Sequence, residues 1–216
     1  MNVQSRRDWT TVAVVIWTIA LLAGWGCSTP LNGPTQPRPP LQSPIARIEA
    51  IEGTDVTMAG RRAEPNMDVF ENEEVKTGSH SKVTIRFAKG GLMWLDENTD
   101  PVFALVSQTL CILISIFQGH AQIDSGGQCF QAATPESEAF LSSKVDMRIQ
   151  GGRATWKVLE GRILVVSKVN HLDKREVAAG QLAVVSRSRV ETLTRIPEPE
   201  LGDLRNRFLQ IRAPMR

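Results

Sequence analysis

Short apolar segments of period two, punctuated by glycine, predict an all-β protein in this 216-residue chain. Three observations carry the prediction. First, Lys82–Phe87 alternates strictly, with Val83, Ile85 and Phe87 on one face and Lys82, Thr84 and Arg86 on the other. That is the pattern of a half-buried strand. Second, glycine followed by apolar positions recurs at Gly53, Gly119, Gly161 and Gly180. Third, a helical period is found only at the far C-terminus. Many short strands with glycine turns indicate a β-solenoid-like or sandwich-like architecture. The uneven glycine spacing argues against a simple repeat array.

Taken in order, the chain opens with Ser5-Arg6-Arg7 and then an uncharged run, Trp9–Gly26, strongly apolar over Val12–Ala23. A short basic start, an apolar stretch and small residues before Cys27 describe an export signal. The block ending at Cys27 resembles a bacterial lipobox, in which the cysteine becomes the acylated first residue. It departs from that pattern, with Gly24 where Leu is usual and Trp25 where a small residue is preferred. The expectation is a lipid anchor at Cys27 on the periplasmic side of a membrane. An uncleaved inner-membrane anchor is the alternative, because the run approaches the length of about 20 residues that spans a bilayer. Ser5–Trp9 also faintly resembles a twin-arginine export signal.

Residues 28–44 hold Pro30, Pro34, Pro37, Pro39, Pro40 and Pro44 and read as an extended stalk. From Ile45 the strands begin. Ala46–Glu52 alternates, Val56 and Met58 start a second strand, and Gly60–Glu64 reads as a turn. Lys89-Gly90-Gly91 turns the hairpin between Lys82–Phe87 and Leu92–Leu95. Beyond the polar loop Asp96–Pro101, the apolar runs Val102–Val106 and Leu110–Phe117 have strand length. Gly151-Gly152 separates Lys144–Ile149 from Ala154–Leu159 as a further hairpin. Finally Leu201, Leu204, Phe208 and Ile211 recur at helical spacing, acidic residues before them and arginines after, which suits a short amphipathic helix. The expected organisation is thus 1–27 signal or anchor, 28–44 linker, 45–190 β domain and 191–216 C-terminal tail.

Laid end to end, the region from about Ile45 to Ser186 resembles the FecR-type periplasmic domain of iron-citrate sensor proteins. Glu74–Ser79 is similar to its "v-x-T-G" step and Ser81–Leu95 to its hairpin. Phe117–Ala121 is similar to "l-x-G-x-a", Ala133-Thr134-Pro135 to its "x-T-P" turn, and Val158–Val165 with Ala179-Gly180-Gln181 to its closing strands. Ser142–Val145 departs from the expected "G-T-x-f". The resemblance implies an extracytoplasmic, solenoid-like β module that makes or receives a protein contact. FecR sensors carry a cytoplasmic anti-sigma region before the membrane segment; here only Met1–Asp8 stand there, so no sigma-factor-binding region is expected.

Chemistry is sparse. The formal net charge of +2 argues against nucleic acid. His80, His120 and His171 lie far apart in or beside glycine-rich turns, with no carboxylate or cysteine at ligand spacing, and read as turn or surface residues. Asp96-x-Asn98-x-Asp100 begins like a calcium loop, but Pro101 and Ser107 stand where Gly and Glu are required. No metal or other cofactor is therefore expected. With Cys27 lipidated, Cys111 and Cys129 remain. Cys111 lies in an apolar run, where a buried free thiol is the preferred reading, and a Cys111–Cys129 disulfide is the alternative. The functional expectation is a non-enzymatic, membrane-anchored periplasmic protein contacting an unidentified envelope protein in sensing or assembly. The rival is an envelope glycan-binding or hydrolytic protein on the same scaffold, for which Asp96 or Glu97 would face Glu160 across a cleft.

Overall fold

The computed structural model describes residues 43–106, 109, 111–186 and 189–212. The chain separates into Met1–Pro40 and Leu41–Arg216, and only the second unit contains described residues. The expected signal, Cys27 and nearly all of the proline-rich linker lie outside them. No described helix is long and apolar enough to cross a membrane.

The described residues are all-β with one C-terminal helix. The first strands are β1 (Ala46–Glu52), β2 (Val56–Met58), β3 (Arg61–Arg62), β4 (Asp68–Val69) and β5 (Val75–Thr77). Next come β6 (Lys82–Phe87), β7 (Leu92–Leu95), β8 (Pro101–Val106), β9 (Cys111–Ile116), β10 (Gly119–Asp124) and β11 (Phe130–Ala133). The series closes with β12 (Ser137–Leu141), β13 (Lys144–Gln150), β14 (Arg153–Glu160), β15 (Arg162–Ser167), β16 (Lys174–Ala178), β17 (Gln181–Ser186), β18 (Arg189–Arg195) and the helix α1 (Glu198–Arg212).

Two large sheets face each other. One has the order β18-β17-β14-β13-β10-β7-β6-β1-β4, the other β16-β15-β12-β11-β9-β8. A small third sheet, β3-β2-β5, lies beside them in the chain order. All pairings are antiparallel except β9 with β11. From β6 onward the chain lays one or two strands in one layer, switches, and returns, so each layer grows in a single direction. Gly119, Gly161 and Gly180, three of the four glycines that recur in the sequence, stand at switches between the large sheets, and all have positive φ. Gly53 stands at the passage from the nine-stranded sheet to the small one. Gly90-Gly91 and Gly151-Gly152, by contrast, turn hairpins inside one sheet. The same residue type thus marks two kinds of turn.

The alternation seen in sequence sets the core. Val83, Ile85 and Phe87 of β6, Ile112, Ile114 and Ile116 of β9, and Ala154, Trp156 and Val158 of β14 all point between the layers and are buried. Phe87 bridges the sheets through edge-to-face contacts with Phe103 at 5.9 Å and Phe130 at 4.7 Å between centroids. Trp156 Nε1–H, from the same nine-stranded sheet, donates across the layers to Ser137 Oγ at 3.0 Å, which satisfies the one polar atom of a fully buried indole. A second cluster, formed by Leu159, Ile196, Leu201, Leu204 and Phe208, seats α1 on the outer face of the nine-stranded sheet. Pro199 falls in the first helical turn, where its missing N–H has no partner to lose.

Two boundaries differ from expectation. The turn expected at Gly60–Glu64 contains β3, held by two register pairs to β2. The β domain also continues past residue 190, because β18 runs to Arg195 and pairs along β17. Its alternation, Arg-Val-Glu-Thr-Leu-Thr-Arg, has few apolar positions because the strand lies at an edge, so the apolar signal is weak.

Candidate functional site

A cleft of about 620 Å³ opens at one end of the layers. Four turns build it: the β7–β8 loop brings Asp96 and Glu97, and the corner before β10 brings Phe117 and His120. The β11–β12 turn brings Glu136, and β13 with its hairpin brings Arg148. The corner is fixed by contact. Gly119 has φ 99°, and a Cβ there would lie 2.6 Å from Thr99 Cα and 2.7 Å from Asn98 O. Buried threonines staple the loop above it. Thr77 Oγ1–H donates to Asp96 O at 2.6 Å, Thr99 N–H donates to Thr77 Oγ1 at 2.9 Å, and His120 N–H donates to Thr99 Oγ1 at 3.0 Å.

Beneath the cleft runs a buried polar network. His120, only 5% exposed, has Nε2 at 2.6 Å from Asp146 Oδ2 and Nδ1 at 3.2 Å from Asp96 Oδ2. Gln122 Nε2–H donates to the same Asp146 oxygen at 3.0 Å, and Lys157 Nζ lies 3.9 Å from Asp146 Oδ1. Lys157 also pairs with Glu200 of α1 at 2.6 Å, so the network reaches the helix. Sheet register explains the arrangement: Trp94, Gln122, Asp146 and Lys157 are successive cross-strand partners on the outer face. Burial pushes the Asp146 carboxyl up. The His120 hydrogen bond and charge, helped by Gln122 and Lys157, outweigh it and hold Asp146 below the usual carboxylate range. Asp100 behaves oppositely: burial raises it, although Gln118 N–H donates to its Oδ1 at 3.2 Å.

The chemistry this allows is limited. Both nitrogens of His120 face carboxylates, and an imidazole donates from both only when it carries both protons. Both contacts are made within the fold, so His120 positions the corner and its carboxylates. Among the described residues, no group of three or more His, Cys, Asp or Glu side chains is arranged to hold a metal ion.

Several expectations change here. His120 is not a turn or surface histidine; its carboxylate partners lie 24 and 26 residues away and arrive through strand pairing, which local spacing does not reveal. His80 does remain at the surface, 3.7 Å from Glu97, and His171 is exposed. The calcium-like residues are engaged within the fold: Asp96 Oδ1 accepts from Glu97 N–H and Asp100 Oδ1 from Gln118 N–H. Glu160 pairs with Lys144 at 2.6 Å and does not line the cleft, so it does not face Asp96 or Glu97 there. Cys111 is buried but not a free thiol. It forms a disulfide with Cys129, with S–S at 1.97 Å and Cα–Cα at 4.8 Å. The parallel pairing of β9 with β11 places the two side by side, and Ile112 N–H donates to Cys129 O at 3.2 Å. Sequence reasoning missed Asp146, Lys157 and Gln122. Their only signal was polar alternation along apolar strands.

No family model and no curated protein matches the chain. Among solved structures, it is similar to two crystal structures from Parabacteroides distasonis ATCC 8503, at 1.65 and 2.50 Å, each described as a "putative anti-sigma factor". Identity is 12% in both, with TM-scores of 0.49 and 0.50. The match covers 60% of this chain and 62% of the other, so less than two thirds of either is spanned. At that identity the likeness concerns the fold.

Proposed function

We propose that this chain is a non-enzymatic, membrane-anchored module of the cell envelope that acts by protein–protein contact in envelope sensing or assembly. Anchoring is through a lipid on Cys27, and the β domain resembles the FecR-type periplasmic domain.

The open side of β18 carries the reading. Of the four strands that end the two large sheets, β4 has two residues. The β8 edge is covered by an acidic segment: Phe103 N–H donates to Glu73 O at 3.4 Å and Leu105 N–H to Glu71 Oε1 at 3.2 Å. The β16 edge presents exposed Lys174, Arg175 and Glu176, the charges that discourage pairing. β18 offers seven residues, and among the described residues it pairs as a strand with β17 alone, although Asp173 Oδ2 takes Val190 N–H at 2.8 Å near its start. An extended partner segment adds to such an edge through main-chain hydrogen bonds, with side chains in alternate positions giving specificity. The anti-sigma description of the Parabacteroides proteins supports a signalling context. The hydrolytic rival is weakened because Asp96 is engaged by His120 and Glu160 by Lys144.

A photocrosslinking residue at Leu193, which is 43% exposed on β18, tests the contact in the native envelope. The expected result is one discrete protein adduct that is absent when the probe sits at Arg61 of β3. Equal adducts at both sites, or none at Leu193, would refute the edge contact. Fatty-acid labelling that persists unchanged in Cys27→Ser would refute the anchor.

A further inference from the structure

An apolar side chain held in water at a loop tip gains free energy when a partner covers it. The tip between β15 and β16 carries two: Val169 is 68% exposed and Leu172 is 90% exposed. The tip is well bonded. Asn170 N–H donates to Ser167 Oγ at 3.2 Å, Leu172 N–H to Asn170 Oδ1 at 3.3 Å, and Asp173 N–H to Asn170 O at 2.8 Å. At its base Lys168 N–H donates to Glu136 O at 3.0 Å. The two apolar side chains are therefore presented by a built turn.

The exposed charges around them are mostly cationic. Lys168, Lys174 and Arg175 are exposed, and His171 stands between Val169 and Leu172 in the same turn. The neighbouring carboxylates are engaged, Glu176 by Arg162 at 3.0 Å. Asp173 accepts from Val190 N–H at 2.8 Å and pairs with Arg175 at 3.6 Å, and Glu136 Oε2 is buried. Leucine and valine ringed by cations match a surface that is apolar within and anionic at its boundary.

We propose that the β15–β16 tip is a membrane-docking loop, which inserts Val169 and Leu172 into an anionic phospholipid bilayer while Lys168, Lys174 and Arg175 lie among the headgroups. Charge complementarity selects this occupant over an apolar protein pocket, which would gain nothing from the cationic ring. The site is separate from the β18 edge and does not rest on its role.

The test uses the full chain with Cys27→Ser, so that no lipid anchor holds it, and with an environment-sensitive fluorescent amino acid in place of Leu172, or in place of Arg61 as a control, on vesicles with and without phosphatidylglycerol. With phosphatidylglycerol, the probe at position 172 shifts to the blue and is quenched by brominated lipid tails, whereas the probe at 61 is not. Raising the salt weakens the signal. Lys168→Glu with Lys174→Glu lowers the apparent affinity at least about tenfold. Val169→Gln with Leu172→Gln reduces sedimentation with vesicles while the melting temperature holds, because both side chains are exposed. A probe at 172 that stays in water overturns the proposal, as does equal quenching on pure phosphatidylcholine or an unchanged affinity in the double charge reversal.

Discussion

Replacing His120 by leucine tests the buried network most directly. The imidazole gives Asp146, which is 2% exposed, its shortest hydrogen bond, at 2.6 Å. Removing one partner of a buried ion pair leaves an uncompensated charge and costs about 3–5 kcal/mol. Here Gln122 at 3.0 Å and Lys157 at 3.9 Å remain to share the carboxylate, so the low end, about 3 kcal/mol, is expected. Urea unfolding followed by tryptophan fluorescence reads it. In the cycle with Asp146→Asn, the interaction energy should exceed about 1 kcal/mol, since the two residues share one network. The pH dependence gives a second check. Asp146 is depressed in the folded wild type, so its contribution is complete above the unfolded carboxylate pKa of about 3.9 and is lost as pH falls through the folded value. In His120→Leu, burial acts with less opposition and raises Asp146, so protonation relieves the variant as pH falls. The stability gap between the two proteins should therefore narrow from pH 7 toward pH 4. A gap below about 1 kcal/mol, or one that does not change with pH, would refute the argument.

Three further outcomes are expected. Reducing the Cys111–Cys129 bond, which closes a separation of 18 residues, should lower stability by about 3 kcal/mol in urea titrations with and without dithiothreitol. Gly119→Ala should cost about 2–4 kcal/mol, because strain at positive φ is joined by a backbone clash. Gly127→Ala, with nothing within 4 Å of the new Cβ, carries strain alone, and equal losses would disprove the clash. Leu204→Ala empties a fully buried position under α1, a change that typically costs about 2–5 kcal/mol. Amide exchange should then rise in α1 while β13 and β14 stay protected; a uniform rise would show that the helix does not open separately.

The residues that carry the FecR-type resemblance have identifiable physical tasks. Thr77 staples the β7–β8 loop, and Thr134 Oγ1 closes the β11–β12 turn by accepting from Ser137 N–H at 3.0 Å. Gly119 and Gly161 turn the chain from one layer to the other. These are turn-building roles, which explains how the pattern was readable while the function attached to it was not.

The sequence by itself determined which face of each strong strand is buried, where the chain turns, and that a helix closes it. Those properties depend on neighbours within a few residues: alternation, glycine φ and helical spacing. Tertiary structure alone decided which strands lie side by side. Register brought Asp96 and Asp146 to His120 across 24 and 26 residues, Lys157 to Glu200, and Cys111 to Cys129. It also decided that β18, with its weak apolar signal, forms one end of the nine-stranded sheet. A period of two tells which side of a strand a residue occupies, but hydrogen bonding between distant strands chooses its neighbour, and both the buried network and the open edge are products of that choice.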